Sequence, residues 1–551
     1  MCGIFFIKTK LLHKDVLKNS FLKAAYRGPD DSKIVWFPKL EDTTSSVFYF
    51  IGFHRLAING IDNKSNQPFY KNDVYLICNG EIYNYKQLYA DLDLVPETNS
   101  DCEIIIDLYN QFSNDNNDGT EDDSASAALA SLAIEYTLKM LDGVFAFTLI
   151  DINKNVIINA RDPLGVRPMF YYQKECEFYS SSELKQISDL IDDDEIKQFP
   201  PGSYSIFTNN QLIFYNYFTL MNLSYPQIVF NDVIDMYSIS KKIVRNMLLE
   251  SVRKRLLSDR PIACLLSGGL DSSLIASIVC SLHNKQIETF SIGLEGSPDL
   301  KYARIVADHL KTKHHEIVVT ENEFLKNIPE VIRRIESYDT TTVRASVGNC
   351  LIGKYISENS SAKVIFNGDG ADELMGGYLY FHKCDNNLKF DNECRKLLEN
   401  ISYFDVLRSD RCISSWGLEP RTPFLDKSFV TLYLGLPLDI RFQKGELEKK
   451  LIRDAFGEPE MNYLPKEILY RKKEAFSDGV SNESRSWYKI IQEHLEKPKY
   501  KNYFDESSNL TNEQQYYKKI FEEYYPNKTS VIPYYWMPKW TNTTDPSART
   551  L

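Results

Sequence analysis

Cys2 stands directly behind the initiator methionine. With Met1 removed it carries a thiol and a free α-amino group whose reference pKa of about 7.7–8.0 suits a general base, so nucleophile and base share one residue. Taken alone, a cysteine there is a small buried strand residue. A second group, Ser267-Gly268-Gly269-Leu270-Asp271-Ser272-Ser273, lies between an apolar run, Ile262 to Leu266, and a helical pattern. Backbone N–H groups and a helix N-terminus then face one point, which makes an anion site, and the missing Gly-Lys-Ser/Thr ending separates it from the ordinary P-loop. A third group, Asn367-Gly368-Asp369-Gly370-Ala371-Asp372-Glu373, follows another apolar run. It puts carboxylates at the carboxyl edge of the same sheet, where α/β proteins bind ligands. The basic run Arg471-Lys472-Lys473 is by itself a solvated patch.

These groups need two kinds of scaffold. From Gly3 to about Thr208, β-like runs at Val47 to Phe53, Val74 to Cys78, Gly143 to Asp151 and Asn155 to Ala160 mix with a few helical stretches. That predicts an α+β domain rich in antiparallel sheet. Turn residues crowd Asn209 to Asp235 and mark a domain boundary. Beyond it, Ile262 to Leu266, Glu288 to Gly293, Glu316 to Thr320 and Val364 to Asn367 read as strands. They alternate with helical faces at Ser272 to Leu282 and Leu300 to Leu310, the pattern of a doubly wound α/β domain with a parallel sheet. The expected domains are 2–208 and 236–551. Asn114 to Ala130, rich in Asn, Asp, Ser and Ala, reads as a solvated insertion. Its likeness to a calcium loop fails at Ala125, where a bidentate Glu is required. His314 and His315 are excluded as a metal pair, because neighbouring strand residues point to opposite faces.

The 551 residues are 43% hydrophobic and 25% charged, an ordinary globular composition that excludes a collagenous, coiled-coil or wholly disordered chain. No apolar run approaches a membrane span, and Lys8 and Lys10 cut off the opening stretch Gly3 to Ile7, so a cytoplasmic chain is expected. The formal net charge of −12 speaks against nucleic acid or a membrane surface as partner and leaves small molecules, with a homodimer open. The 10 cysteines form no CxxC pair or zinc spacing and are read as reduced thiols.

Cys2-Gly3-Ile4-Phe5, Arg27-Gly28-Pro29-Asp30, His54-Arg55-Leu56-Ala57-Ile58, Gln67-Pro68, Asn79-Gly80-Glu81-Ile82-Tyr83-Asn84, Ser100-Asp101-Cys102-Glu103 and Asp142-Gly143 follow one another in that order. The set resembles the glutaminase domain of class II glutamine amidotransferases, which are N-terminal nucleophile hydrolases. The resemblance implies an αββα sandwich in which Cys2 attacks the amide carbon of glutamine. By it, Asn79 and the Gly80 N–H take up the developing oxyanion, Arg55 pairs with the substrate α-carboxylate, Asp101 pairs with its α-ammonium, and Glu81 completes the glutamine-binding set.

The loop at Ser267 resembles that of the ATP pyrophosphatase family, which cleaves ATP between the α- and β-phosphates. The implied ATP site comprises Leu266, Ser267, Gly268, Gly269, Asp271, Ser272, Ile292, Asn367 and Gly368. Asp271 and Asp372 would hold Mg2+, Lys473 would stabilise charge on the transferring phosphate, and Arg344, in Thr340 to Ser346, would meet an aspartate carboxylate. With Asp410-Arg411, Ser415 to Glu419, Pro423 to Asp426 and the tail Asp545 to Leu551, the chain resembles the eukaryotic-type glutamine-hydrolysing asparagine synthetases from end to end. The implied reaction converts ATP, aspartate, glutamine and water to AMP, pyrophosphate, asparagine and glutamate, through β-aspartyl-AMP and channelled ammonia. Many relatives carry Glu where Asp369 stands as a base for ammonia, so the role of the shorter side chain stays open. Two other readings share these residues: an amide-forming synthetase with another acceptor, and a non-catalytic protein that senses glutamine or ATP.

Overall fold

The computed structural model describes residues 1–10, 13–37, 47–115, 123–192, 194–220, 233–458, 460–474, 479–481, 485–500 and 502–547. The chain divides into two units, Met1–Thr219 and Leu220–Leu551.

In the first unit, period-two alternation produces β1 (Gly3–Thr9), β2 (Asp31–Phe37), β3 (Phe48–Arg55), β4 (Phe69–Lys71), β5 (Val74–Ile82), β6 (Gly143–Asp151), β7 (Val156–Arg161), β8 (Phe170–Lys174), β9 (Glu177–Ser181), β10 (Lys197–Gln198), β11 (Ser203–Thr208) and β12 (Gln211–Asn216). They form two antiparallel sheets, ordered β10-β8-β9-β1-β3-β2 and β12-β11-β7-β6-β5-β4. Ile4, Phe6, Ile51 and Phe53 of the first meet Ile77, Ala146, Ile150 and Ile157 of the second in one buried cluster, so the sheets pack face to face. Phe5, one residue out of phase, turns to the outer face, where Phe21 of α1 (Lys14–Leu22) lies against it and against Phe50.

The second sheet's outer face carries α2 (Tyr85–Asp91), α3 (Ile104–Asp115) and α4 (Asp123–Met140). There Leu88, Ile104, Leu108, Ala133 and Ile134 cover Cys78, Phe147 and Ile158. The layering is αββα. Because α4 begins at Asp123 and Ala130 is fully buried, the second half of the expected insertion at Asn114 to Ala130 is helix instead. Alanine has the highest helix propensity, and here it overrides the polar bias. Residues 116–122 lie outside the described residues.

In the second unit, α5 (Val233–Lys254) leads into β13 (Ile262–Leu265), α6 (Leu270–Leu282), β14 (Glu288–Leu294), α7 (Pro298–Leu310), β15 (Lys313–Val319), α8 (Glu321–Ile335), α9 (Thr340–Asn359), β16 (Val364–Phe366), α10 (Ala371–Met375), α11 (Asn387–Asn400), α12 (Asp405–Ser414) and β17 (Glu419–Arg421). The strands make a parallel sheet in the order β15-β14-β13-β16-β17. Ile352 and Ile356 of α9 and Ile413 of α12 pack on Ala263, Phe290, Ile292 and Ile365. The strand order reverses between β13 and β16, and the crevice beyond their carboxyl ends is where open α/β sheets take ligands. β15 starts three residues ahead of the expected strand. His314 bonds to Thr289 and Ser291 while His315 stacks on Phe290, so the two rings lie on opposite faces of the sheet. Among the described residues no helix is long and apolar enough to cross a membrane.

Candidate active sites

Pairing of Gly3 with His54 places Cys2 beside the end of β3, where its half-buried Sγ donates to the Leu56 carbonyl at 3.7 Å. The Cys2 carbonyl accepts from Arg27 Nε at 2.9 Å, and Arg27 is ion-paired with Glu183 at 2.8 Å in full burial. Asn79 lies on β5 with no exposure, and among the described residues neither end of its carboxamide has a partner. A buried amide left so costs on the order of 1–3 kcal/mol. That cost fits a group held ready for an incoming atom.

Separate contacts anchor the remaining residues near the same strand ends. Arg55, at the end of β3, donates to the carbonyls of Asp62 (2.8 Å) and Gly60 and to Asn66, so the turn after β3 folds round its guanidinium. In the same turn Asn59 donates to Glu81 at 2.6 Å. Two residues beyond Gly80 on β5, the Ile82 N–H donates to Asp101 at 2.7 Å. The structure thus gathers Cys2, Arg55, Asn79, Gly80, Glu81 and Asp101 around the ends of β1, β3 and β5. His54 is different: it stacks on Phe21 at 3.8 Å, its Nε2–H donates to the Phe21 carbonyl at 2.9 Å, and its Nδ1 accepts from Ser32 at 2.6 Å. Burial pushes its pKa down to about 4, and it serves packing.

In the second unit the crevice beyond β13 and β16 is a cleft of about 1340 Å³, open mouth included. Leu266, Ser267, Gly269, Asp271, Ser272, Ile292, Asn367, Gly368, Asp369, Asp372 and Lys473 all line it. Gly268 turns the loop at φ +71°, and a Cβ there would stand 2.4 Å from the Ala303 nitrogen, so no side chain fits. Asp271 and Asp372 face each other across ammonium groups. Lys449 Nζ lies 2.6 Å from Asp271 and 2.5 Å from Asp372, and Lys473 Nζ lies 2.5 Å from Asp372 and 3.7 Å from Asp271.

Burial alone would raise the Asp372 carboxyl, but Lys449 and Lys473 outweigh it and hold it well below the usual carboxylate range. Burial likewise works against the charge on Lys473, and the two aspartates more than restore it. Among the described residues Asp271 Oδ1 is buried without a partner. A carboxylate pair that already holds a cation between its oxygens fits Mg2+, which takes one or two carboxylates and completes its shell with water and phosphate oxygens. Deeper along the wall, Arg408 donates to Asp369 at 2.9 Å and to Asp405 at 3.0 Å, and Tyr378 donates to Glu373. Burial, with Asp405 and Asp372 nearby, pushes the Glu373 carboxyl well up.

Arg344 is not brought to this cleft. It is 3% exposed and makes two bidentate pairs, with Glu513 at 2.6 and 2.8 Å and with Asp545 at 2.7 and 2.8 Å. These pairs use four of its five N–H groups, where an aspartate carboxylate was the expected partner. The arginine on the cleft wall beside Asp369 is Arg408.

Comparison with known proteins bears on both units. A family model described as asparagine synthase matches residues 243–400 and 385–544, and one described as a glutamine amidotransferase domain matches 53–189. Proteins described as glutamine-hydrolysing asparagine synthetase from Rattus norvegicus, Homo sapiens and Gallus gallus are each 39% identical to this chain, over 100% of it and 98% of their own length. The chain belongs to the asparagine synthetase family.

Two cleft residues, Lys449 and Arg408, carry no signal in the sequence. Lys449 sits in the charged run Glu448-Lys449-Lys450, which carries no glycine-rich or turn signal and lies 178 residues from its partner Asp271. Arg408 lies within an amphipathic helix whose other arginine, Arg411, pairs with Glu336. Only the fold separates the cleft-facing arginine from the structural one.

Proposed function

We propose that this chain makes asparagine from aspartate and ATP with glutamine as nitrogen donor, the domain 2–208 hydrolysing glutamine and the domain 236–551 activating aspartate. The observation that carries the reading is the meeting, in one cleft, of the anion loop Ser267–Ser272 with Asp271, Asp372, Lys449 and Lys473.

In the first unit, with Met1 removed, the Cys2 α-amino group takes the thiol proton and the thiolate attacks the glutamine carboxamide carbon. The oxyanion forms against the Asn79 side chain and the Gly80 N–H, while Arg55 and Asp101 hold the amino-acid end. Ammonia leaves, and water releases glutamate from the thioester. In the second unit the aspartate β-carboxylate attacks the α-phosphorus of ATP and pyrophosphate departs, giving β-aspartyl-AMP. Lys473 and Lys449 meet the charge that builds on the phosphates.

Asp271 and Asp372 are the residues that would hold Mg2+. Bound there, the ion would neutralise phosphate charge. Ammonia then attacks the acyl carbon and AMP leaves, with Asp369 the carboxylate placed to take the proton and Arg408 the arginine open to an acceptor carboxylate. A carboxylate is a poor acyl donor, and adenylation supplies its leaving group. All ten cysteines are free thiols, which suits a reducing cytoplasm.

Replacing Cys2 by Ala tests the division of labour. Glutamine-dependent synthesis should vanish while ammonia-dependent synthesis continues at the wild-type rate. Loss of both activities in a folded variant would overturn the two-site reading.

A further inference from the structure

Lys473 serves the adenylation step only if its ammonium is fixed on the phosphates, yet lysine is a flexible stem with about 2 kcal/mol of rotamer entropy. Its backbone N–H donates to Glu448 at 2.8 Å. The described chain on either side of it returns to one region, the end of β14 and the start of α7.

Upstream, Arg471 donates to the Gly268 carbonyl at 3.0 Å, to Asp299 at 3.1 Å and to Glu474 at 3.2 Å, and its guanidinium lies 4.0 Å from the Tyr302 ring centroid. Downstream, the Gly479 carbonyl accepts from Ser297 Oγ at 2.7 Å and the Val480 carbonyl from the Leu294 N–H at 2.7 Å. Gly479 passes so close to Asp299 that a Cβ there would stand 2.4 Å from a carboxylate oxygen. Asp299, 5% exposed, is therefore touched from both sides, and the same guanidinium that holds it also grips the phosphate loop at Gly268.

We infer that Asp299 and Arg471 are positioning residues that clamp the Lys473 segment to the phosphate loop, an inference that rests on the ATP-dependent reading above. The planar fork of arginine is needed because it reaches a carbonyl and a carboxylate at once, which a single ammonium on a long stem does less well.

The test uses the full chain with aspartate, ammonia and Mg-ATP, and reads pyrophosphate release beside thermal unfolding. Arg471→Ala should lower kcat by about 100-fold, the penalty of a misplacement on the order of 1 Å, with the KM for ATP changed less than about 3-fold. Asp299→Asn should fall in the same direction. The double variant should fall no further than Arg471→Ala, since the two act as one unit. Added guanidinium ion should restore part of the rate to Arg471→Ala, which a packing role would not predict, and Arg471→Lys should keep the unfolding temperature while losing rate.

Single variants within about 3-fold of wild-type kcat, or losses that multiply in the double variant, would overturn the clamp. A folded Arg471→Lys with full rate would do the same. A wild-type chain that releases no pyrophosphate would instead overturn the ATP-dependent reading, and the clamp with it.

Discussion

Lys449→Met removes the charge that stands between the two cleft carboxylates and keeps most of the aliphatic stem. The lysine side chain is 1% exposed, and Asp271 and Asp372 are 14% and 16% exposed. Breaking a buried pair by deleting one partner costs about 3–5 kcal/mol. Because Lys473 remains 2.5 Å from Asp372, the loss belongs at the low end, about 3 kcal/mol. The variant then holds two poorly compensated carboxylates, a better cation site than before. Mg2+ at ten times its dissociation constant would return about 1.4 kcal/mol, nearly half of the loss. Thermal unfolding with and without Mg2+ reads both terms: the variant should melt several degrees lower than wild type, and Mg2+ should raise its transition by more than it raises that of wild type. A variant of wild-type stability, or one no more responsive to Mg2+, would refute the claim that this lysine occupies a cation position. Pyrophosphate release should collapse in the same variant, whatever its stability.

Asn79→Ala should lower glutamine hydrolysis by about 100- to 1,000-fold, the range for losing one oxyanion donor, without lowering the unfolding temperature, because the deleted carboxamide has no partner among the described residues. Steady-state kinetics and a melt on the same sample check both halves. His54, with its pKa pushed from about 6.5 down to about 4, is bound neutral in the fold, so the unfolded chain takes up a proton first as pH falls. Above pH 6.5 neither state is protonated and nothing is lost; as pH falls from 6.5 toward 4 the fold loses stability, and the loss amounts to about 3 kcal/mol once both states are protonated. Urea unfolding between pH 7 and 4 should therefore show a shallower decline in His54→Phe than in wild type. Arg344→Met should act on stability, by about 3–5 kcal/mol, because Glu513 and Asp545 lose their shared partner. A stable Arg344→Met with a raised KM for aspartate alone would return Arg344 to the acceptor site.

Much of both sites was legible in the sequence where the chemistry is local. Cys2 is marked by its position, and Ser267 to Ser273 is marked by glycines between a strand and a helix, a context that the β13 and α6 geometry realises. Asn367 to Asp372 was legible for the same reason, since the end of a buried strand in a doubly wound sheet is a ligand edge. What stayed hidden depends on partners far along the chain. The fork of Arg344 is visible in the sequence, but the carboxylates that consume it lie 169 and 201 residues away. Lys449 gave no signal because a charged run reads as solvated until two buried aspartates are seen to close on it. The expected insertion at Asn114 to Ala130 shows the limit of composition: its asparagines and aspartates argued for solvent, whereas the alanines after Asp123 open a helix that reaches burial at Ala130. β15 begins early because pairing with β14 recruits Lys313 to His315, residues with weak strand signal of their own.

The central claim is that one chain couples glutamine hydrolysis to adenylation of aspartate. The most direct measurement follows AMP, pyrophosphate, glutamate and asparagine together in one reaction containing Mg-ATP, aspartate and glutamine. AMP, pyrophosphate and asparagine should rise in equal amounts, glutamate should rise at least as fast, and omitting aspartate should stop AMP formation. Glutamate formation with no AMP under any acceptor condition, or ADP and phosphate in place of AMP and pyrophosphate, would contradict it.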